Sequence, residues 1–403
     1  MIMKFRDCTL DRRTLLGATL GIAGATVATR VAHAEPGYAG DTLVVVSLRG
    51  GFDGLSAIAP IGDPDYYRAR PTIGLPKSQV IAGDGTFGLH PALAPLLPHW
   101  QAGRLAAVHA VGQANPTRSH FAAMEAMENA APGTSIRTGW LDRMLGGTGA
   151  TGPLAGVSLG HAMPARLLAG PVPAPSMASI DKFTLAGDSA QRPIAAALSR
   201  MYADAPAAQA MAALAATATL RAAPYQPAAT YPDTDLGAAL RDVARLIKSG
   251  PTLAAAAVDC GDWDMHDALG TAVKGQRMHD NLTGLAAALA AFAADLGPAG
   301  MASTTVLTIS EFGRRVAENA SRGADHGHGN AMLLLGGAVR GGRVHTAWPG
   351  LSPAALVDGD LAVTTDYRAV IGEILQKRCG FGSLDGVFPG VKPSSFGLAI
   401  SRS

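Results

Sequence analysis

Short, continuous apolar runs rich in β-branched residues recur along the chain at 42–48 (TLVVVSL), 105–110, 154–159, 253–258, 304–309 (TTVLTI) and 331–335. They do not alternate apolar with polar, which is the pattern of strands buried on both faces of a parallel sheet. Between them, helical spacing of apolar positions predicts helices over 91–101, 120–129, 193–216, 236–248, 279–296 and 366–377. Strand and helix therefore take turns along most of the chain, and the expected class is α/β with a mostly parallel central sheet covered on both sides. No repeat of fixed period and no linker divides residues 35–403, so a single domain is expected. The Ala-rich region within 190–250 reads either as a helical insertion or as part of the layer beside the sheet.

Composition narrows the field. With 48% apolar and 16% charged residues over 403 positions, the chain is far from the balance of a disordered protein. The 49 glycines and 26 prolines follow no triplet period, so they mark turns and not a collagen-like rod. The net charge of +2 comes from the front, because removing residues 1–34 leaves 28 basic and 29 acidic groups. Without a Lys/Arg-rich run and with 5% aromatics, nothing predicts a nucleic-acid or anionic-membrane partner. Three cysteines make no disulfide framework, although a Cys260–Cys379 bridge stays open.

The front itself reads as an address. Arg12-Arg13 precede Leu15-Leu16, a weakly apolar Ala/Gly stretch runs to Thr29, and Ala32-His33-Ala34 closes it. This is the pattern of a twin-arginine signal peptide cleaved after Ala34. The expected partner is the twin-arginine export machinery, and the expected destination is the periplasm or the extracellular space. The apolar stretch is shorter than the roughly 20 residues a membrane span needs, and no span is expected after cleavage.

Ligands of parallel α/β sheets bind beyond the carboxyl ends of the strands, so the residues following each strand carry the candidate chemistry. After Leu48 comes Arg49-Gly50-Gly51-Phe52-Asp53; after Val258 come Asp262, Asp264 and His266; after Ile309 come Ser310, Glu311, Arg314 and Arg315, then Asp325-His326-Gly327-His328. Carboxylates and imidazoles gathered on one edge suit a divalent ion such as zinc, manganese or iron. Alternatives stand beside each residue. Asp53 between glycines serves equally as a turn former. Asp264 and His266 share a face if extended, whereas Asp262 and His266 pair if helical. A plain Asp–His hydrogen bond explains either pair without metal. Glu311 with the two arginines fits a surface ion pair as well as an oxyanion clamp. In Asn115-Pro116-Thr117-Arg118-Ser119-His120, ahead of a helix, Thr117 or Ser119 is the candidate nucleophile and Arg118 the anion clamp, with His120 beside them; a simple Ser/Thr helix cap is the alternative.

The segments LRGGFDGL, NPTRSHF, TGWLDR, GDWDMH, SEFGRR, DHGHGN and GGRVHTAWPGL, in that order, resemble the exported bacterial family called domain of unknown function 1501. That family is similar to the alkaline phosphatase and sulfatase superfamily. The resemblance implies an α/β/α sandwich and metal ligands at Asp53, Asp264, His266, Asp325, His326 and His328. It also implies action on phosphate or sulfate esters, a small anionic substrate class. The superfamily's nucleophile offset falls on Pro116 or Ala114, neither of which can attack, and this favours the alternative of an exported binding or assembly protein that keeps the fold.

Overall fold

The computed structural model describes residues 38–160, 165–188, 193–201, 207–250 and 252–402. The export signal expected over residues 1–34 lies outside them. The apolar runs form strands β1 (Thr42–Leu48), β2 (Leu105–Gly112), β3 (Gly156–Leu159), β4 (Ser176–Met177), β5 (Ala255–Cys260), β6 (Thr304–Ile309), β7 (Asn330–Gly336), β8 (Val344–His345) and β9 (Thr365–Asp366). They build one sheet in the order β8-β2-β7-β6-β1-β5-β3-β4, with β9 also paired to β2. Strand β1 lies in the middle, parallel to β5 and β6, with Val45 opposite both Ala257 and Leu307. Strand β7 alone in this sheet runs antiparallel to both neighbours, β2 and β6.

Both faces of the central strands are buried, so neighbouring residues point into different cores. Val44, Val46 and Leu48 join one core, whereas Leu43 and Val45 join the other. The main helices are α1 (His120–Asn129), α2 (Trp140–Thr148), α3 (Ile194–Met201), α4 (Ala207–Ala222), α5 (Asp235–Lys248), α6 (Arg277–Ala302) and α7 (Tyr367–Arg378). The first core takes Leu236 and Leu240 of α5 with Leu282 and Leu289 of α6; the second takes Met127 of α1, Trp140 and Leu141 of α2, and Ile371 and Ile374 of α7. The result is the three-layer sandwich with a mostly parallel sheet. Helix α2 has no counterpart among the predicted helices. The segment expected as one helix over 91–101 is a 3-10 turn, Pro91–Leu96, followed by Leu97–Gln101, because Pro95 and Pro98 remove backbone donors.

Helix α6 is long and apolar enough to cross a membrane by length and composition alone, although no span is expected after cleavage. Its apolar residues supply one side of the first core, and the helix breaks at Gly297-Pro298. Cys260 and Cys379 are both free thiols, so the open question of a bridge is answered in the negative.

Strand β2 carries a bulge between His109 and Val111, where Ala110 takes a φ of 53°. The Ala110 N–H donates to His109 Nδ1 and His109 Nε2 faces the Ile58 carbonyl, so the ring is fixed in its neutral form. Burial holds its pKa down to about 4. An unfolded chain takes up that proton near pH 6.5, whereas the native chain refuses it until about pH 4. The stabilisation is thus complete above pH 6.5 and is lost as the pH falls toward 4, at a cost of about 3 kcal/mol. Urea midpoints measured between pH 7 and pH 4 should fall steeply in the wild type and less steeply in His109→Gln, with His90 contributing the residual slope.

Candidate metal centre

The carboxyl ends of β1, β2, β5 and β6 point the same way, and the antiparallel β7 begins where they end. Segments 49–53, 113–120, 259–266, 310–315 and 325–329 therefore meet on one edge. A glycine at position 50 permits this crowding. Gly50 has a φ of 110°, and a Cβ there would lie 2.6 Å from the backbone nitrogen of Asp264.

His120, Asp264 and His326 place ligand-type atoms within 4.8 Å of one another, and His266 adjoins them. Asp264 sits at the centre. Its Oδ1 is 3.0 Å from His266 Nε2 and 3.2 Å from His326 Nε2, and its Oδ2 is 3.5 Å from His120 Nε2. Burial pushes the Asp264 carboxyl up, but the hydrogen bond and charge of Arg314 lead the groups that outweigh it and bring the pKa down to about 2.

The opposite ring nitrogens fix the tautomers. His120 Nδ1 lies 2.9 Å from Glu311 Oε1, His266 Nδ1 lies 2.9 Å from Asp325 Oδ1, and His326 Nδ1 lies 2.8 Å from the Arg118 carbonyl. Each of these oxygens is an acceptor, so each Nδ1 is the donor, and in the neutral imidazole each Nε2 then carries a lone pair. With all three rings neutral, three lone pairs and a carboxylate converge with no hydrogen to share. His266 Nε2 and His326 Nε2 face each other at 2.9 Å, and the buried His120 Nε2 has no hydrogen-bond partner. A cation held by His120, Asp264 and His326 satisfies three of these groups at once, with His266 beside them. Ligands bound tetrahedrally at about 2.0–2.1 Å stand roughly 3.3 Å apart, close to the spacings around Asp264. The residues present thus fit a divalent metal.

An outer ring of bonds supports the donors. Arg314 is buried and donates to the carbonyls of Gly50, Gly51, Trp263 and Ala324 as well as to Asp264 Oδ1 at 2.7 Å. It is a strut joining three loops, neither a surface ion pair nor a clamp. Glu311 is equally buried. Asn319 donates to Asp325 Oδ1 and to the His266 carbonyl while accepting from Ser321 and Gly323, which ties the 319–325 loop to the ring it orients. The His266 hydrogen bond and Asn319 hold the Asp325 carboxyl below its usual range.

Other expected residues lie elsewhere. Both oxygens of buried Asp53 are taken by Arg70, at 2.5 and 3.0 Å, with Ser56 Oγ on one of them at 2.6 Å. Burial raises the Asp53 carboxyl, yet Arg70 and Ser56 bring it below its usual value. That carboxylate is already neutralised by a buried arginine that contacts both of its oxygens. His328 Nδ1 is 3.4 Å from Asp360 Oδ2, and the same oxygen takes Nε and Nη2 of Arg118. Asp360, fully buried, was not among the candidates, and neither pattern nor spacing marks it. Asp262 is exposed and pairs with Arg277, outside the cluster. Thr117 Oγ1 accepts from the Ser119 N–H, while the Ser119 side chain caps nothing at the start of α1. Burial pushes the Cys260 thiol up to about 11, which removes it as a nucleophile near neutrality.

Three solved structures are similar to this chain at low identity. The solved C-terminal periplasmic domain of EcEptC from Escherichia coli, in complex with Zn, is similar at 10% identity and TM-score 0.36, covering 75% of this chain and 74% of that one. The lipoteichoic acid synthase LtaP from Listeria monocytogenes is similar at 10% identity and TM-score 0.37, covering 81% and 74%. The PsFucS1 sulfatase from Pseudoalteromonas sp. is similar at 11% identity and TM-score 0.36, covering 98% and 78%. No curated protein matches the sequence. Residues 41–371 match a family description, and the chain accordingly belongs to the family Protein of unknown function (DUF1501).

Proposed function

We propose that the chain is an exported metal-dependent hydrolase of phosphate or sulfate esters, working in the periplasm or outside the cell. The observation that carries this reading is the convergence of three Nε2 atoms on one carboxylate, with the buried His120 Nε2 unpartnered. His120, Asp264, His266 and His326 would hold one ion, and their nitrogen-rich donor set suits zinc before manganese or iron. Asp325 serves by orienting His266, and His328 by its place beside Asp360 and Arg118. A divalent ion held there supplies Lewis acidity toward an ester oxygen. The chain's own groups do the rest. Arg118, anchored by Asp360 and half exposed, is positioned to donate to a non-bridging oxygen. Thr117 and Ser119 bring hydroxyls to the start of the helix that carries His120, where partial positive charge favours an anion.

One observation favours a second reading, an exported binding or assembly protein that keeps the ion. Among the described residues, no Ser, Thr or Cys side chain hydrogen-bonds to the four cluster side chains. Stripping the protein with a chelator and adding back zinc, manganese or iron, with aryl phosphates and aryl sulfates as substrates, separates the two. Turnover that disappears with the chelator and returns with one metal supports the hydrolase. Tight metal binding without turnover of either ester class supports the binding protein.

A further inference from the structure

We propose that Glu311 is a positioning residue: it locks His120 in the Nδ1–H tautomer and so keeps the Nε2 lone pair aimed at Asp264 and His326. The proposal rests on the metal reading above for its consequence, but not for its geometry. Glu311 lies just past β6 with 2% of its surface exposed. It accepts three hydrogen bonds, from the Gly50 N–H at 2.8 Å, the Ser310 hydroxyl at 3.1 Å and His120 Nδ1 at 2.9 Å. A carboxylate has no hydrogen to return, so the direction of the His120 bond is settled.

Ring packing does not make the same choice. His120 lies against Phe312 at 4.9 Å and His326 at 4.3 Å between centroids. These contacts fix the plane of the ring but tolerate a flip that exchanges nitrogen with carbon edges. Only the bond to Glu311 selects which edge faces the cluster. The other two imidazoles are held differently, His266 by half-exposed Asp325 and His326 by a backbone carbonyl. Glu311 is therefore the buried side chain on which one lone pair of the set depends, and outer partners of this kind typically carry about 10–100-fold in metal affinity.

Two variants separate orientation from mere support. In Glu311→Gln, the amide oxygen takes over the bonds from Gly50 and His120 and the amide NH2 donates to Ser310 Oγ, so the tautomer should persist. In Glu311→Ala, Nδ1 loses its acceptor. Nitrogen-15 spectra of the metal-stripped full chain, labelled at histidine, should show His120 as the Nδ1–H tautomer in the wild type and in Glu311→Gln, and as a mixture in Glu311→Ala. Zinc affinity measured by competition with a chromogenic chelator should fall less than about 10-fold in Glu311→Gln and about 10–100-fold in Glu311→Ala. A wild-type His120 protonated on Nε2, or a folded Glu311→Ala with unchanged tautomer and affinity, overturns the proposal. Should Glu311→Ala not fold, the wild-type and Glu311→Gln spectra decide. A wild type with the expected tautomer that binds no zinc supports the role of Glu311 and overturns the metal reading alone.

Discussion

Asp264→Ala should abolish binding of the proposed ion while leaving the protein folded, and the proposed ester turnover should disappear with it. Asp264 is the one side chain within 3.5 Å of all three Nε2 atoms, so its loss removes a ligand and the negative charge that offsets the cation. The expected loss in affinity is more than about 100-fold, beyond what an outer partner's removal costs. The fold tolerates the change because Arg314 keeps four backbone carbonyl partners. Asp262→Ala, two residues away and exposed, should bind metal like the wild type. Equilibrium dialysis of both variants, with thermal unfolding as the control for folding, checks the pair. Equal metal binding by Asp264→Ala and the wild type would remove Asp264 from the set.

The largest effect on stability is expected at Arg70. Its guanidinium is buried, bidentate on Asp53, and also donates to the carbonyls of Val316 and Arg315. Arg70→Leu leaves the Asp53 carboxylate buried without a counter-charge and should cost about 3–5 kcal/mol in urea unfolding. The double variant Asp53→Asn with Arg70→Leu should recover much of that, since the stranded charge is gone while only hydrogen bonds are missing. Full stability in Arg70→Leu would mean that water reaches Asp53. The same pair explains why the proposed ion count is one: an arginine already neutralises the carboxylate after β1.

Much of this was legible in the chain because burial on both faces leaves a local mark. The runs at Thr42–Leu48 and Thr304–Ile309 are strands with the predicted bounds, and the acids and histidines just past strand ends do meet on one edge. The antiparallel direction of Asn330–Gly336 was not legible, since a fully buried strand has the same composition whichever way it runs. It matters all the same, because that direction brings the start of the strand, with His326 just before it, to the edge where the others end. Partnerships across sequence were hidden as well. Glu311 and Arg314 read as a surface pair or a clamp, yet each is buried against backbone from segments some 50 to 260 positions away. Asp53 carries no hint that Arg70 will claim it. The choice between Asp262 and Asp264 depends on a loop in which Asp262 takes a φ of 68°, a conformation that spacing rules for helix or strand do not cover.

The most direct test of the account is the position of the ion itself. Crystals of the metal-loaded protein, measured at the zinc absorption edge, should give one anomalous peak per chain, within about 2.3 Å of the Nε2 atoms of His120 and His326 and of an oxygen of Asp264. A peak at Asp53, or a fully loaded protein with no peak between those imidazoles, would contradict it.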